Sequence, residues 1–472
     1  LWRLARTAAT ASVARLTLWS FGLRSVVGLG LFMASFYHLP LFRSMQIDGG
    51  FWTLAYDARG YDWEGQAVLA MLHGAAAAPG PMASPAYGWL VGIIYFIFGA
   101  DPGAGILLNG ALAAACVPVA YLIARWSDME QRGAICAAAL VAFFPSSFGW
   151  SAQLLKDSMQ WLVTLVFFAA AARMMSRAPW KRRDWLRVVP AASAMLLASL
   201  LTAWLRGTST TPVLIASVIA GSGIWMAAGW LRAGSAAVLT RVLPAAVMLA
   251  AVGIGSLPAY GDVLTVAQRS SPSMAEPASP DVVTPGVLSA PDLRSCPGIN
   301  SLVHGRLGFV NTGGVSLKDA SVQFNHCWNV LAYVPRALEL TYLEPWPADW
   351  FQPGASVGFA RYVAFLDPLL LWLLFPGLVA GCILALTRPA GAKPLLAVYL
   401  LFFGFVLGFV VANFGTLYRV RLQVLLPAMI VAADGWLLLW RWYEQHLSSG
   451  WPRFHIFHRG APAESIVRSN LP

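Results

Sequence analysis

The stretch IDGGFWTLAYDARGYDWEGQAVLAML holds Asp48, Asp57, Asp62 and Glu64, the densest acidic group in the chain. A carboxylate held beside a hydroxyl can take its proton and turn the oxygen into a nucleophile, a role that typically contributes about 10²–10⁴-fold to a rate. From Tyr61 to Leu72 the apolar positions Trp63, Ala67, Ala70 and Met71 recur at helical spacing, which predicts an amphipathic helix lying at a surface. Asp57 stands near its amino end, where the helix dipole favours the ionised form. The plain alternative is that these acids keep an exposed loop soluble or cap the helix.

Cations that could face a phosphate stand far away in the sequence. The segment ANFGTLYRVRLQVLLP carries Arg419 and Arg421, whose planar forks suit bidentate contact with an oxyanion. FFPSSFGWSAQLLKDS ends in the pair Lys156 and Asp157, and Arg206 follows an apolar run. Each has a structural alternative: an interfacial anchor snorkelling to water for the arginines, a solvated ion pair for Lys156 and Asp157. The segment HGRLGFVNTGGVSLKDASVQFNHCWNVLAYVPRALELTYLEPWPADWF mixes aromatic and polar residues with His304, His326, Arg306 and Arg336. Such a mixture suits sugar faces and hydroxyls, or an ordered lid. The histidines stand at no metal-site spacing, and the sequence indicates neither a metal nor another cofactor.

The elements that must position these groups are membrane helices. Hydrophobic residues make up 58% of the 472 positions, charged residues only 11%, and the mean hydropathy is +0.64. A water-soluble fold of this composition could not cover its apolar surface. Runs such as Leu369 to Leu386 and Leu395 to Val411 approach the bilayer thickness. Apolar length and loop charge predict ten spans, near 17–37, 103–124, 133–150, 158–175, 188–205, 211–231, 242–258, 363–386, 394–412 and 422–440. Basic residues mark every second connection: Arg3, Arg6 and Arg15; Arg125 and Arg132; Arg173 to Arg187; Arg232 and Arg241; Arg388 and Lys393; Arg441 onward. The positive-inside rule then puts both termini in the cytoplasm and the acidic stretch outside. The net charge of +11 is spread among these connections, which argues against nucleic-acid binding.

The segment AYGWLVGIIYFIFG, from Ala86 to Gly99, is too short to cross, and a crossing there would put basic connections on opposite faces. It reads as a helix dipping into the outer leaflet. Four regions follow: an amino-terminal membrane module (1–258) containing the first outer loop (41–85), a second outer loop or cap (259–361), carboxy-terminal membrane helices (362–440) and a cytoplasmic tail (441–472). The cap begins with the Pro- and Ser-rich run RSSPSMAEPASPDVVTPG, a composition typical of loops. Cys296 and Cys327 share it and could pair in an oxidising compartment or stay reduced. The basic first residues precede no small-residue cleavage site, so the first helix reads as retained.

The run DARGYDWEGQAVLA resembles the Asp-acidic/small-x-x-Tyr pattern in the first outer loop of the C-type glycosyltransferase superfamily, in particular the branch with protein O-mannosyltransferases and lipid A aminoarabinose transferases. Its neighbours are similar in order too: SPAYGWLVGIIYFIFG, then LLNGALAAACVPVAYLIAR, then FFPSSFGWSAQLLKDS. The likeness covers roughly the first 180 residues in motif and the remainder in architecture only. It implies an enzyme whose first-loop Asp takes the acceptor hydroxyl's proton while that oxygen attacks the anomeric carbon with inversion. By motif position that residue is Asp57, with Tyr61 four places on and Asp48 in reserve. Ala58 stands where the pattern often has a second acid, which weakens any carry-over of a paired-carboxylate or metal-binding role.

The expectation is therefore an all-α polytopic enzyme of a bacterial inner membrane, its active site facing the periplasm or outside. It would move a hexose or pentose from a polyprenyl-phosphate donor to a glycan, lipid or protein acceptor, alone or within a membrane complex. Asp57 and Asp48 are the candidate catalytic acids; Tyr61, Lys156, Asp157, Arg206, Arg306, Arg419 and Arg421 are the candidate substrate contacts. Three other readings compete. An O-antigen-type polymerase or ligase would lean on the large loop's arginines and a histidine, a lipid-linked sugar transporter would need ionisable groups deep in its spans, and a non-catalytic subunit would keep the fold alone.

Overall fold

The computed structural model describes residues 8–75, 82, 84–176, 185–259, 296–311, 316–350 and 366–446. The Pro- and Ser-rich start of the cap, residues 351–365 and most of the carboxy-terminal tail lie outside them. The described chain is an all-α polytopic membrane protein with one two-residue hairpin, β1 (Gln46–Ile47) and β2 (Phe51–Trp52). Its lipid-facing residues remain apolar where a soluble protein would be polar: Leu18, Trp19 and Val26 are each about two-thirds exposed or more.

The amino-terminal half runs through α1 (Ala8–Phe36), α2 (Asp57–Leu72), α3 (Pro85–Phe98), α4 (Pro102–Trp126), α5 (Gln131–Phe143), α6 (Pro145–Ser151) and α7 (Asp157–Met175). Helix α3 has 14 residues, about 21 Å at 1.5 Å per residue, short of a bilayer core of about 30 Å. It packs on α2 instead of crossing. Helices α5 and α6 meet at a bend of 48° and are together long and apolar enough for one span. The bend falls at Pro145, which lacks the amide needed to continue the ladder.

That break is held by a residue inside the first span. Arg24, fully buried, donates to the carbonyls of Ala142 at 3.1 Å and Ser147 at 2.7 Å, and to the hydroxyls of Ser20, Ser147 and Ser151. Its guanidinium also stacks 4.3 Å from the ring centre of Phe148. A charge at that depth costs several kcal/mol, roughly 2.5–3.5 on insertion scales, unless bonded; here it takes up carbonyls at the proline break.

The helical segment α8 (Trp185–Gly255) is too long for a single crossing, and it doubles back. Gly234 adopts φ +72°, a left-handed value that favours glycine, and the Arg241 side chain reaches the carbonyl of Trp225 on the preceding arm. A straight helix would set these two residues about 24 Å apart. Among the described residues, eight helices are long and apolar enough to cross, one of them being Thr210–Gly255. With that hairpin taken as two crossings and the bent pair as one, the described crossings number ten, as the loop charges require.

The second half contains α9 (Pro297–Asn311), α10 (Cys327–Ala332), α11 (Val334–Tyr342), α12 (Pro347–Trp350), α13 (Leu366–Thr387), α14 (Lys393–Val410), α15 (Phe414–Val420) and α16 (Leu422–His446). A disulfide joins Cys296 to Cys327. Helix α11 runs along the side of α14, where Thr341 donates to the Gly404 carbonyl and Tyr342 to the Leu400 carbonyl. Ala337, Leu340, Thr341 and Tyr342 share its buried face, so the alternation of VPRALELTY fits a protein-packed helix within the bundle.

The two ends of the bundle differ. At one, Lys393 pairs with Asp434 at 2.7 Å, Arg441 with Glu130, and the Ala392 amide with the Ser127 hydroxyl. At the other lie Asp57, Lys156, Asp157, Arg206 and Arg419.

Candidate functional site

Asp57 reaches the site because the chain leaving α1 is turned twice. Gly49 and Gly50 take φ +83° and +87° at the tip of the β-hairpin, and a Cβ on Gly50 would lie 2.4 Å from the Phe32 ring. Ser35 then donates to the Phe51 carbonyl at 2.6 Å and the Trp52 indole to the Leu31 carbonyl at 3.1 Å. These bonds tie the loop to the end of α1, so α2 starts at Asp57 with its carboxylate 51% exposed.

The cations come from elsewhere in the bundle. Arg419, on α15, sits 2.7 Å from the Asp57 carboxylate and 3.7 Å from that of Asp157. Asp157, fully buried at the amino end of α7, pairs at 2.5 Å with Arg206 at the end of an α8 arm. Lys156 donates to the Leu205 carbonyl at 2.9 Å, and its ammonium lies 5.9 Å from the ring centre of Tyr61. Three cations, Arg419, Arg206 and Lys156, thus converge with Asp57 and Asp157, and the buried Glu64 also acts on Lys156, so fixed positive charge stands beside an accessible acid. Burial would lower Arg419, but the charges of Asp157 and Asp57 outweigh it and hold its proton more firmly. Burial, with Arg206 and Arg419 adding to it and Asp157 opposing, pushes Lys156 down to about 8. Burial and the same carboxylates push the Tyr61 phenol up.

The turn that presents Lys156 and Asp157 is fixed from α4. Asn109 is fully buried and donates to the carbonyls of Gln153 at 2.6 Å and Leu155 at 2.8 Å, while its own oxygen accepts from the Tyr87 hydroxyl at 3.0 Å. Tyr87 meets Tyr61 edge to face at 5.1 Å. The sequence offered a signal here, since an Asn in an otherwise apolar span needs partners.

A neighbouring network lies behind α15. Arg421 is fully buried, donates to the Glu344 carbonyl at 2.5 Å and stacks 4.4 Å from the ring centre of Tyr418. The Tyr418 hydroxyl donates to Asp367 at 2.6 Å, which also accepts from the Ser146 amide at 3.0 Å. Asp367, a buried acid at the start of α13, and Arg24 are the polar groups in apolar spans that motif reading passed over.

Three candidates therefore stand apart from the Asp57 group. Asp48 is 91% exposed and lies 3.8 Å from His38. Arg421 faces Asp367 and Glu344. Arg306 donates to the carbonyls of Lys318 and Asp319 in the cap and of Phe409 on α14, among the rings of Phe324, Tyr333 and Phe409. His304 bonds the Asn300 carbonyl at 2.8 Å, and no group of three metal-ligating side chains occurs among the described residues.

No protein-family model matches the chain, and no curated protein matches it in sequence. Among solved structures it is similar to the archaeal oligosaccharyltransferase AglB from Archaeoglobus fulgidus in complex with an inhibitory peptide and a dolichol-phosphate, with 13% identity, a TM-score of 0.46 and coverage of 93% of this chain and 52% of that one. An Archaeoglobus fulgidus oligosaccharyltransferase in the apo form gives 10% identity, a TM-score of 0.48 and coverage of 92% and 51%. The same enzyme tethered with an acceptor peptide by a disulfide gives 12%, 0.46, and 91% and 50%. The chain spans about half the length of these proteins.

Proposed function

We propose that this protein is a membrane glycosyltransferase that moves a sugar from a polyprenyl-phosphate donor to an extracytoplasmic acceptor, with Asp57 as the general base. The observation that carries the reading is the convergence of the half-exposed Asp57 with Arg419, Arg206 and Lys156, three cations drawn from three separate parts of the chain. A transfer of this kind needs a base for an incoming hydroxyl and fixed positive charge for a departing phosphate, a few ångströms apart.

In the step, the acceptor oxygen forms a bond to the anomeric carbon as its proton passes to the Asp57 carboxylate. The bond from that carbon to the phosphate oxygen breaks, and its electron pair leaves on the polyprenyl phosphate. Attack from the face opposite the leaving group inverts the configuration. Arg419 and Lys156 stabilise the charge that grows on the phosphate; Asp157 and Arg206 hold those two cations in register. The disulfide between Cys296 and Cys327 supports an oxidising compartment at this end, in keeping with an outward-facing site in a bacterial inner membrane. A ligase relying on the large loop fits less well, because Arg306 is taken up by backbone carbonyls of the loop and of α14, and Arg336 by carboxylates of the loop.

The test is transfer from radiolabelled polyprenyl-phosphate sugars in the presence of membrane extract, with purified wild type, Asp57→Asn, Asp48→Asn and Arg419→Ala at matched amounts. Asp57→Asn should lose at least 10²-fold in rate and Asp48→Asn little. Undiminished transfer by Asp57→Asn would reject Asp57 as the base.

A further inference from the structure

The cap carries an open surface hollow of about 700 Å³ that the Asp57 site does not use. Its wall carries the exposed ring of Trp328, the largely buried rings of Phe324 and Tyr333 beneath it, and the carboxamides of Gln323 and Asn329. Trp328 is 75% exposed. None of the lining residues is charged. The charges nearby are bound to one another: Arg336 to Asp319, Glu339 and Glu344, and Lys318 to Glu344 and Asp349.

The wall is braced from behind. Phe324 meets Tyr333 at 5.2 Å and Phe409 at 4.8 Å, both edge to face, and the Arg306 guanidinium lies over all three rings while bonded to backbone carbonyls. The Tyr333 hydroxyl is fixed on Asp319 at 2.6 Å, and the disulfide at Cys327 anchors the backbone beside Trp328. A site organised in this way loses little freedom when a ligand enters.

Its chemistry selects among ligands. Aromatic faces are electron-rich and attract the weakly positive C–H groups of a sugar ring. A carboxamide donates and accepts at once, as a sugar hydroxyl does. An anionic group would find no cation in the wall. The hollow also belongs to the same end of the bundle as Asp57: the Lys318 amide bonds the Ala412 carbonyl and the Phe414 amide the Ser316 carbonyl, joining the cap to α15, which bears Arg419.

We propose that this hollow binds an uncharged stretch of glycan, and, resting on the transferase reading, that the acceptor is a neutral saccharide chain held there while its end reaches Asp57. The test measures binding without donor, by calorimetric titration of the full chain in lipid nanodiscs. The probes are mannotetraose, maltotetraose, tetra-N-acetylchitotetraose, tetragalacturonic acid and a neutral peptide of similar size. At least one neutral tetrasaccharide should bind, more than tenfold tighter than tetragalacturonic acid or the peptide. Trp328→Ala and Asn329→Ala should each weaken it tenfold or more, Trp328→Phe less, and Asp57→Asn not at all. Absence of neutral-saccharide binding, preference for the peptide or the acid, or binding indifferent to both alanine variants would each overturn the proposal. Saccharide binding without any Asp57-dependent transfer would leave the hollow standing and remove the transferase reading; transfer without saccharide binding would do the reverse.

Discussion

Asn109 donates an amide hydrogen to the Leu155 carbonyl at 2.8 Å, and through that bond a residue in the first third of α4 sets the position of Lys156. A second donation, to Gln153, leaves the turn little freedom to shift. Asn109→Ala strands both carbonyls and the Tyr87 hydroxyl in a buried setting, where each unmet group costs about 1–3 kcal/mol. Misplacement of a reacting group by about 1 Å can cost 10²-fold. Asn109→Ala should therefore lower kcat for sugar transfer by one to two orders of magnitude while the protein still elutes as a folded species in detergent. A variant that folds and turns over at the wild-type rate would show that the turn holds itself.

Lys156 sets a pH limit. Buried beside Arg206 and Arg419, its ammonium gives up its proton near pH 8, so the positive charge is present below that value and lost as pH rises through it. The kcat/KM for a lipid-phosphate donor should fall on the alkaline side of about 8, since this parameter reports the free enzyme. Lys156→Arg keeps the charge and should abolish the limb. Stability should move the other way: the unfolded lysine keeps its proton to about 10.4, so between the two values the unfolded state binds more protons and folding is favoured as pH rises. An alkaline limb that persists in Lys156→Arg belongs to another group.

The membrane architecture was legible because bilayer thickness and loop charge act on whole segments, and a few misplaced residues do not alter them. The α5–α6 bend follows from Pro145 in the same way. The site was legible in part. Asp57, Lys156, Asp157, Arg206 and Arg419 stood out by type and place, and the fold brings them together. Arg421 stood out for the same reason as Arg419, yet two positions on a helical turn differ by about 200° in direction, which sends one guanidinium to Asp57 and the other to Glu344. That direction depends on how α15 is rotated against the bundle. Arg306 likewise read as a ligand-facing arginine, but the cap carbonyls claim it. Arg24 and Asp367 went unread because single polar residues inside apolar runs carry no motif; only the rule that each must find a partner marks them.

Arg24 is the clearest case for a stability test. Arg24→Ala removes the donor for the Ala142 and Ser147 carbonyls and for three hydroxyls at the α5–α6 break, and it leaves a cavity beside Phe148. The combined loss belongs to the large end of single-residue effects, about 3–5 kcal/mol. The apparent melting point of the detergent-solubilised protein should drop by several degrees or more, with reduced yield. Arg24→Lys, which can meet some of the same acceptors, should fall between. Equal melting points for all three would mean that the bend does not depend on this side chain.

The disulfide offers a separation between cap and catalytic site. Cys296 and Cys327 close a loop with a sequence separation of 31, for which the chain-entropy model gives about 3–4 kcal/mol of constraint on the unfolded chain. That energy acts on α9, on α10 and on the hollow that α10 helps to line, while Asp57, Asp157 and Arg206 are held by bonds to other parts of the bundle. Cys296→Ser should thus speed limited proteolysis within 296–333 several-fold and weaken saccharide binding, yet leave donor binding at the Asp57 site within about twofold. Both effects can be read from one preparation, by timed digestion followed by mass spectrometry and by titration with a polyprenyl-phosphate sugar. Equal losses at the two sites would mean that cap and catalytic cluster unfold as one cooperative unit, joined through the bridge of Leu317 to Asn413 and the salt links of Lys318.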